Sequence, residues 1–326
     1  MTRARTAGPP NREEGSTDTS VRRARAHVPD DADNGWQSKR HNQAGRGTRT
    51  ITPETDNTMS NRTLVIIPTY NERENLPTVV SALFDNVPDA NLLIVDDGSP
   101  DGTGGIADQM AHDDPRVFAM HRTGKLGLGS AYLVGFGWGL ERGYDILVEM
   151  DADGSHPAQT LPTMLETVGR ESVPGSPALV IGSRWVPGGA VVNWPKSREI
   201  LSRAGNVYTR VALGLPVKDA TAGFRAYRAD ALAALDLTTV DSYGYCFQVD
   251  MTMRMIDAGH TVREVPIVFR EREVGESKMS RAIVLEAMWK VTLWGAARRA
   301  RQVRAALTHR TASRAVGGSP GSRPTR

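Results

Sequence analysis

Thr63-Leu-Val-Ile-Ile67 running into Pro68-Thr-Tyr-Asn-Glu72, and Leu92-Leu-Ile-Val95 running into Asp96-Asp-Gly-Ser-Pro-Asp-Gly-Thr103, are the two stretches that decide the fold. Each is an unbroken apolar run of strand length that stops at a polar, turn-forming segment, which is the pattern of a strand buried on both faces. Two more runs follow: Ile146-Leu-Val-Glu-Met150, leading into Asp151-Ala-Asp-Gly-Ser-His156, and Leu179-Val-Ile-Gly182, leading into Ser183-Arg184. Helix-length patterns lie between them at Leu76–Phe84, Thr103–His112, Gly129–Arg142 and Pro157–Val168. Further helices are expected over 197–213, 228–235, 245–258 and from about Ser280, with a short apolar stretch at Val262–Phe269. Strands alternating with helices specify an α/β fold with a mostly parallel central sheet flanked by helices.

Outside this body the composition changes. Residues 1–60 contain no Leu, Phe or Tyr and are rich in Arg, Asp, Gly, Thr and Asn. Such a stretch buries too little apolar area to offset chain entropy, so a disordered extension is expected there. The net charge of +3 divides unevenly: residues 1–60 hold 10 basic and 8 acidic side chains, and residues 298–326 hold 8 arginines and no acid. That leaves 22 basic against 29 acidic in 61–297, so the body is negative and its charge argues against nucleic-acid binding. A single cysteine, Cys246, excludes a disulfide framework and a cysteine zinc cluster, and in its apolar setting it reads as core. No apolar run reaches the roughly 20 residues that span a bilayer, and the first residues lack the apolar stretch of a secretory signal. The chain therefore divides into an extension over 1–60, an α/β domain over 61–280, an amphipathic interfacial helix over 281–300 and a basic disordered tail over 301–326.

In open α/β sheets, ligands sit beyond the carboxyl ends of the strands. There the sequence places Glu72, Asp96, Asp97, Asp151 and Asp153, on three separate strand ends. Converging carboxylates repel unless a cation or donor groups neutralise them. Mg²⁺ or Mn²⁺ takes one or two carboxylates plus substrate phosphates, so Asp151 and Asp153 point to a nucleotide-diphosphate substrate. Gly124-Lys-Leu-Gly127-Leu-Gly129 is neither a dinucleotide fingerprint nor a phosphate loop, because position 132 is Tyr and Lys125 precedes Leu126. Those glycines are read as shaping a turn into a helix. Basic residues return at Gly182-Ser-Arg184, at Lys196-Ser-Arg198 and between Arg270 and Lys278, the last in a polar, glycine-containing segment that reads as a closing loop.

In combination these motifs carry a resemblance. Pro-Thr-Tyr-Asn-Glu at 68–72, Asp-Asp-Gly-Ser-Pro-Asp-Gly-Thr at 96–103, Leu-Gly-Leu-Gly at 126–129 and Met-Asp-Ala-Asp at 150–153 resemble the inverting glycosyltransferases of family 2, which have the GT-A fold. Gly-Ser-Arg-Trp at 182–185, Thr-Ala-Gly-Phe-Arg at 221–225, Phe-Gln-Val-Asp at 247–250 and Gly-Glu-Ser-Lys at 275–278 are similar to the polyprenol-phosphate (dolichol-phosphate) mannose synthases among them. The resemblance covers about residues 63–290. It implies that GDP-mannose is contacted by Pro68, Tyr70, Glu72, Val95 and Asp97 around the nucleoside. It further implies contact by Asp151, Ala152 and Asp153 through the metal and diphosphate, with Arg184, Arg272 and Lys278 completing the donor and acceptor phosphate pocket. Gly154 departs from the family, where many relatives carry a larger apolar residue, and leaves the metal pair intact.

The implied chemistry needs no general base. A lipid phosphate monoester, with a second pKa of about 6 by analogy with phosphoserine, is largely dianionic at neutral pH and can attack the sugar itself. His156 accordingly reads as structural, at a helix start. The implied function is inverting mannosyl transfer from GDP-mannose to a polyprenyl phosphate, with Mg²⁺ or Mn²⁺, by a peripheral enzyme on the cytoplasmic membrane face. The apolar, tryptophan-bearing residues 282–297 suit an interfacial helix. The arginines from Arg298 onward suit an anionic membrane surface, at about 1 kcal/mol each near the headgroups, and an integral-membrane partner protein is the alternative route to the bilayer. The alternatives in function are a glucosyltransferase using the same lipid acceptor and a non-catalytic nucleotide-sugar-binding subunit. The latter would have little reason to keep both Asp151 and Asp153.

Overall fold

The computed structural model describes residues 62–169, 175–240, 245–271 and 288–300. The expectations for 1–60, 281–287 and 301–326, and for Arg272 and Lys278, lie outside these residues.

The first half of the chain alternates strictly. It runs β1 (Thr63–Thr69), α1 (Leu76–Asn86), β2 (Asn91–Asp96), α2 (Thr103–Asp113), β3 (Val117–His121), α3 (Leu128–Glu141), β4 (Ile146–Glu149), α4 (Leu161–Val168) and β5 (Pro177–Ser183). The second half continues β6 (Ala190–Val192), α5 (Lys196–Leu213), β7 (Arg225–Arg228), α6 (Ala229–Ala233), α7 (Tyr245–Asp257), β8 (Thr261–Pro266) and β9 (Val268–Arg270). Residues 288–300 form a last helix, α8.

Seven strands make one sheet in the order β3-β2-β1-β4-β7-β5-β8, and β6 pairs with β9 in a small parallel ribbon. Within the large sheet only β7 runs against its neighbours, so β4 and β5 on either side of it point the same way. The four apolar runs of the sequence are the strands β1, β2, β4 and β5, and Leu64 to Ile67 and Leu92 to Val95 are buried, as strands covered on both faces must be. One apolar cluster joins Leu64, Ile66, Leu93 and Leu147 to α3, α5 and α7. On the opposite face, Val65, Ile67, Ile94 and Val148 meet α1, α2 and α4. The described residues of this domain thus form a helix–sheet–helix sandwich.

The expected helix over 228–235 shortens to α6, because Arg228 closes β7, and the stretch Val262–Phe269 divides between two sheets. The larger departure concerns α8. The amphipathic pattern leaves both of its tryptophans free for a membrane, but Trp294 packs on the core cluster and Val291 is buried in it. Gly295 lies against Ala212, the Tyr208 and Thr292 hydroxyls meet, and Arg298 bonds the Leu213 carbonyl and the Asp257 carboxylate. One side of this helix is therefore a core element, and Trp289 and Leu293 remain exposed on the other. Among the described residues no helix is long and apolar enough to cross a membrane.

Candidate active site

Strand register brings the chemistry to one sheet edge. Thr69 pairs with Asp96, and Ile66 stands opposite Glu149, so the residues following β1, β2 and β4 emerge side by side. Glu149, Arg225 and Ile181 form one row across β4, β7 and β5. Because β7 starts where its neighbours end, the loop before it, Asp219 to Phe224, opens onto the same edge as Asp151 and Arg184.

The loops after β1 and β2 are stitched together. Backbone N–H groups of Asn71, Glu72 and Arg73 donate to the Ser99 hydroxyl (3.0 Å), the Thr103 hydroxyl (3.0 Å) and the Asp101 carboxylate (3.2 Å). Asn71 takes a left-handed backbone (φ 62), a conformation Asn tolerates better than most residues. Asp96 is buried and accepts from the Thr69 and Ser99 hydroxyls, so it holds the loop in place. Asp97 is paired with Arg122 at 2.7 Å, both nearly buried. Burial raises its carboxyl above the ordinary range, opposed by the Arg122 charge and the Leu126 N–H. Glu72 accepts from the Asn75 amide (2.8 Å) at the start of α1. Lys125 stands 4.2 Å over the Tyr70 ring. The side chains of Val95 and Ala152 belong to the two core clusters, which leaves only their backbone to face a ligand.

At the end of β4 the chain turns through Asp151-Ala-Asp-Gly-Ser155. Asp153 accepts the Ser155 N–H at 3.0 Å, and Gly154 has φ 73, a conformation that a larger apolar residue would enter only under strain. Asp151 accepts from the Tyr132 hydroxyl (3.1 Å), and its own N–H donates to His156 Nδ1 (2.9 Å). Burial, with the charge of Asp151 added, lifts the Tyr132 phenol well above its ordinary range, so the hydroxyl stays a donor. Among the described residues no three His, Cys, Asp or Glu side chains converge as a metal cage. Two carboxylates on one solvent-facing turn suit instead a hard cation that completes its shell with substrate oxygens, as Mg²⁺ and Mn²⁺ do.

Behind this edge lies a buried polar layer. Gln248 on α7 donates to Glu149 at 2.6 Å, and the Arg225 guanidinium binds the carbonyls of Ala222 and Ala220, both at 2.7 Å, and Thr252 at 2.9 Å. Burial pushes the Glu149 carboxyl up to about 7, against the pull of Arg225.

Arg184 is placed differently from the sequence expectation of a phosphate clamp. Its side chain is 8% exposed and is held by the fully buried Asp219 through its backbone N–H (3.0 Å), Nε (2.7 Å) and Nη2 (2.6 Å). Trp185, Trp194 and Phe269 surround the guanidinium at 5.5–5.6 Å. Beside it, Arg198 at the start of α5 is paired with Glu271, the residue before Arg272. From sequence alone Asp219 and Arg122 have no role, Arg225 stands only as the last residue of the Thr-Ala-Gly-Phe-Arg motif at 221–225, and His156 has no link to Asp151. No local signal marks the ion pairs, since Asp97 lies 25 residues before Arg122 and Arg184 lies 35 before Asp219, and Arg225 is held largely by the backbone carbonyls of Ala220 and Ala222.

The family described as Glycosyl transferase family 2 matches residues 64–236. The polyprenol monophosphomannose synthase of Mycolicibacterium smegmatis is 54% identical over 258 residues, 79% of this chain and 93% of the relative. The undecaprenyl-phosphate mannosyltransferase of Micrococcus luteus is 58% identical over 246 residues, 76% of this chain and 99% of the relative. Among solved structures, glucosyl-3-phosphoglycerate synthase from Mycobacterium tuberculosis, in complex with Mn²⁺, UDP-glucose and phosphoglyceric acid, superposes with a TM-score of 0.50 at 19% identity. That match covers 71% of this chain and 80% of the other, and at such identity it speaks for the fold alone. Sheet order, the loops at the sheet edge and the family match agree: the chain belongs to glycosyltransferase family 2.

Proposed function

We propose that this protein transfers mannose from GDP-mannose to a polyprenyl phosphate, inverting the anomeric centre, at a membrane surface. One observation carries the reading. The sheet edge that holds Asp151 and Asp153 also gathers the Asp219–Phe224 loop and Arg184, in a chain whose relatives of more than half identity are polyprenyl-phosphate mannosyl enzymes by name.

Asp151 and Asp153 would hold Mg²⁺ or Mn²⁺, which when bound neutralises the donor diphosphate. A phosphate oxygen of the acceptor forms the new bond to mannose C1 while the bond from C1 to GDP breaks, and GDP leaves with the electron pair. No proton has to move, since the acceptor is already dianionic. Pro68, Tyr70, Glu72, Asp97 and the backbone of Val95 frame the nucleoside, and Arg272 and Lys278 complete the phosphate pocket. With Arg184 tied to Asp219, its part is to shape that pocket and lend a screened charge.

Approach to the lipid is supported by two neighbouring helices. On α5, Ile200, Val207 and Val211 are 51–66% exposed, and on α8 Trp289 is 65% exposed. Arg203, Arg210 and Arg299 lie on the same pair of helices and suit anionic headgroups.

The test offers GDP-mannose and UDP-glucose side by side to the protein in vesicles containing polyprenyl phosphate, with lipid extraction and assignment of the anomeric configuration. Metal-dependent formation of a β-linked mannosyl lipid is expected. A glucosyl product, retention of configuration or absence of any lipid product would refute the proposal.

A further inference from the structure

We propose that Tyr132 and His156 are a positioning pair for Asp151, fixing from its two flanks the rotamer of the carboxylate that receives the divalent cation. The inference rests on the metal reading above and extends it to residues that touch neither substrate nor metal.

Tyr132 is fully buried on α3, and its hydroxyl donates to Asp151 Oδ1 at 3.1 Å. Its ring is stacked with Phe136 and Phe247, each centroid at 6.3 Å, at interplanar angles of 23° and 10°. Phe247 reaches that position only because residue 129 is glycine: a Cβ there would stand 2.8 Å from the Phe247 ring. On the other flank, His156 Nδ1 accepts the Asp151 N–H at 2.9 Å. A neutral imidazole with Nδ1 as acceptor carries its proton on Nε2, and Nε2 lies 3.7 Å from Asp151 Oδ2. The imidazole cannot swing away, since Phe224 stacks on it at 5.0 Å and Phe269 meets it edge-on at 5.9 Å.

The two partners face different oxygens of one carboxylate. An ionised carboxylate has about four acceptor directions, so neighbours on its two flanks orient it without saturating it. An aspartate on a solvent-facing turn would otherwise sample several rotamers, and ordering it would be charged against metal binding. Groups that orient a metal ligand in this way are worth about 10–100-fold in metal affinity.

The experiment measures Mn²⁺ binding to the full-length protein saturated with GDP, by electron paramagnetic resonance of the unbound ion, without turnover. Tyr132→Phe keeps the ring and removes the hydroxyl. His156→Asn keeps an acceptor for the Asp151 N–H and removes the group facing Oδ2. Each is expected to weaken Mn²⁺ about tenfold with metal-free GDP binding unchanged, and Tyr132→Phe, which keeps the ring, with the melting temperature unchanged as well. Transfer lost at low Mn²⁺ should return at saturating Mn²⁺, a rescue that a merely structural role would not give. Asp151→Asn should abolish Mn²⁺ binding, and adding Tyr132→Phe to it should change nothing more. If Tyr132→Phe does not fold, His156→Asn decides alone. Variants that bind Mn²⁺ within twofold of native, while Asp151→Asn does not bind it, overturn the positioning role and leave the metal reading standing. Native Mn²⁺ affinity in Asp151→Asn overturns the metal reading and the inference with it.

Discussion

Replacing Asp219 by Asn tests whether Arg184 is a structural cation or a phosphate ligand. Asp219 is fully buried and accepts three bonds from Arg184, at 2.6, 2.7 and 3.0 Å, while the guanidinium is itself 8% exposed. The amide keeps the shape, deletes the charge and turns donors toward donors. Breaking a buried pair from one side costs about 3–5 kcal/mol, because the remaining charge stays out of water. For a domain of this size, a loss of 1 kcal/mol lowers the melting temperature by about 2–4 °C, so a fall of about 6–20 °C is expected. Urea denaturation should show an earlier midpoint at constant slope. The paired replacement Arg184→Met with Asp219→Leu should recover most of the loss, since a dry apolar pair of similar volume often matches a buried ion pair. A loss under about 1 kcal/mol for Asp219→Asn, as for a solvated pair, would refute the reasoning and restore Arg184 as a mobile cation available to phosphate.

Three further outcomes are expected. Asp153→Ala should abolish transfer with the melting temperature preserved, since it removes a carboxylate from a solvent-facing turn; near-normal turnover at saturating Mg²⁺ would take Asp153 out of the metal site. Glu149, its carboxyl raised to about 7 in the fold, should make the metal-free protein less stable as pH rises. The folded state keeps a proton that the unfolded chain sheds near 4.5, so stability falls between about 4.5 and 7 and is flat above, by about 3 kcal/mol in all. Urea titrations of Glu149→Gln should lack that slope, and parallel pH profiles for variant and native would contradict the assignment. Arg272→Ala and Lys278→Ala should each lower transfer with modest loss of GDP affinity, measured by calorimetry; collapse of GDP binding would move them to the nucleotide pocket.

The parts of the fold that could be read in advance are those whose signal is local. β1 and β2 are dominated by continuous apolar runs, as is β4 up to Glu149, and a strand covered on both faces needs little else to declare itself. β7 was illegible for the opposite reason. Arg225-Ala-Tyr-Arg228 looks like surface, and its first arginine is buried only because the Ala220 and Ala222 carbonyls and Thr252 are waiting for it. The candidate site divides in the same way. Asp151 and Asp153 announce themselves as paired carboxylates at a strand end. Arg184 reads as a phosphate ligand until Asp219, 35 residues on, is seen to hold it. Val95 stands next to last on β2, beside Asp96, with its side chain buried in the core cluster, which its apolar neighbours in sequence do not reveal. On α8, apolar periodicity could not distinguish the side that meets protein, with Val291 and Trp294, from the side left exposed, with Trp289 and Leu293.

The antiparallel strand β7, inside the sheet beside β4, also bears on how the protein is made. Synthesis delivers β1 to β4 in one continuous stretch, and these can pair as they emerge, yet the outer edge of β4 finds its partner only when Arg225–Arg228 arrives about 75 residues later. At about 5–20 residues per second, the ribosome leaves that apolar edge unpaired for roughly 4–15 s. Unpaired edges template association with other chains. A nascent chain halted between β4 and β7 should therefore be the aggregation-prone species and the form that chaperones hold. The two aspartates leave the ribosome early, but they face a finished cleft only after β7 has closed the sheet behind them.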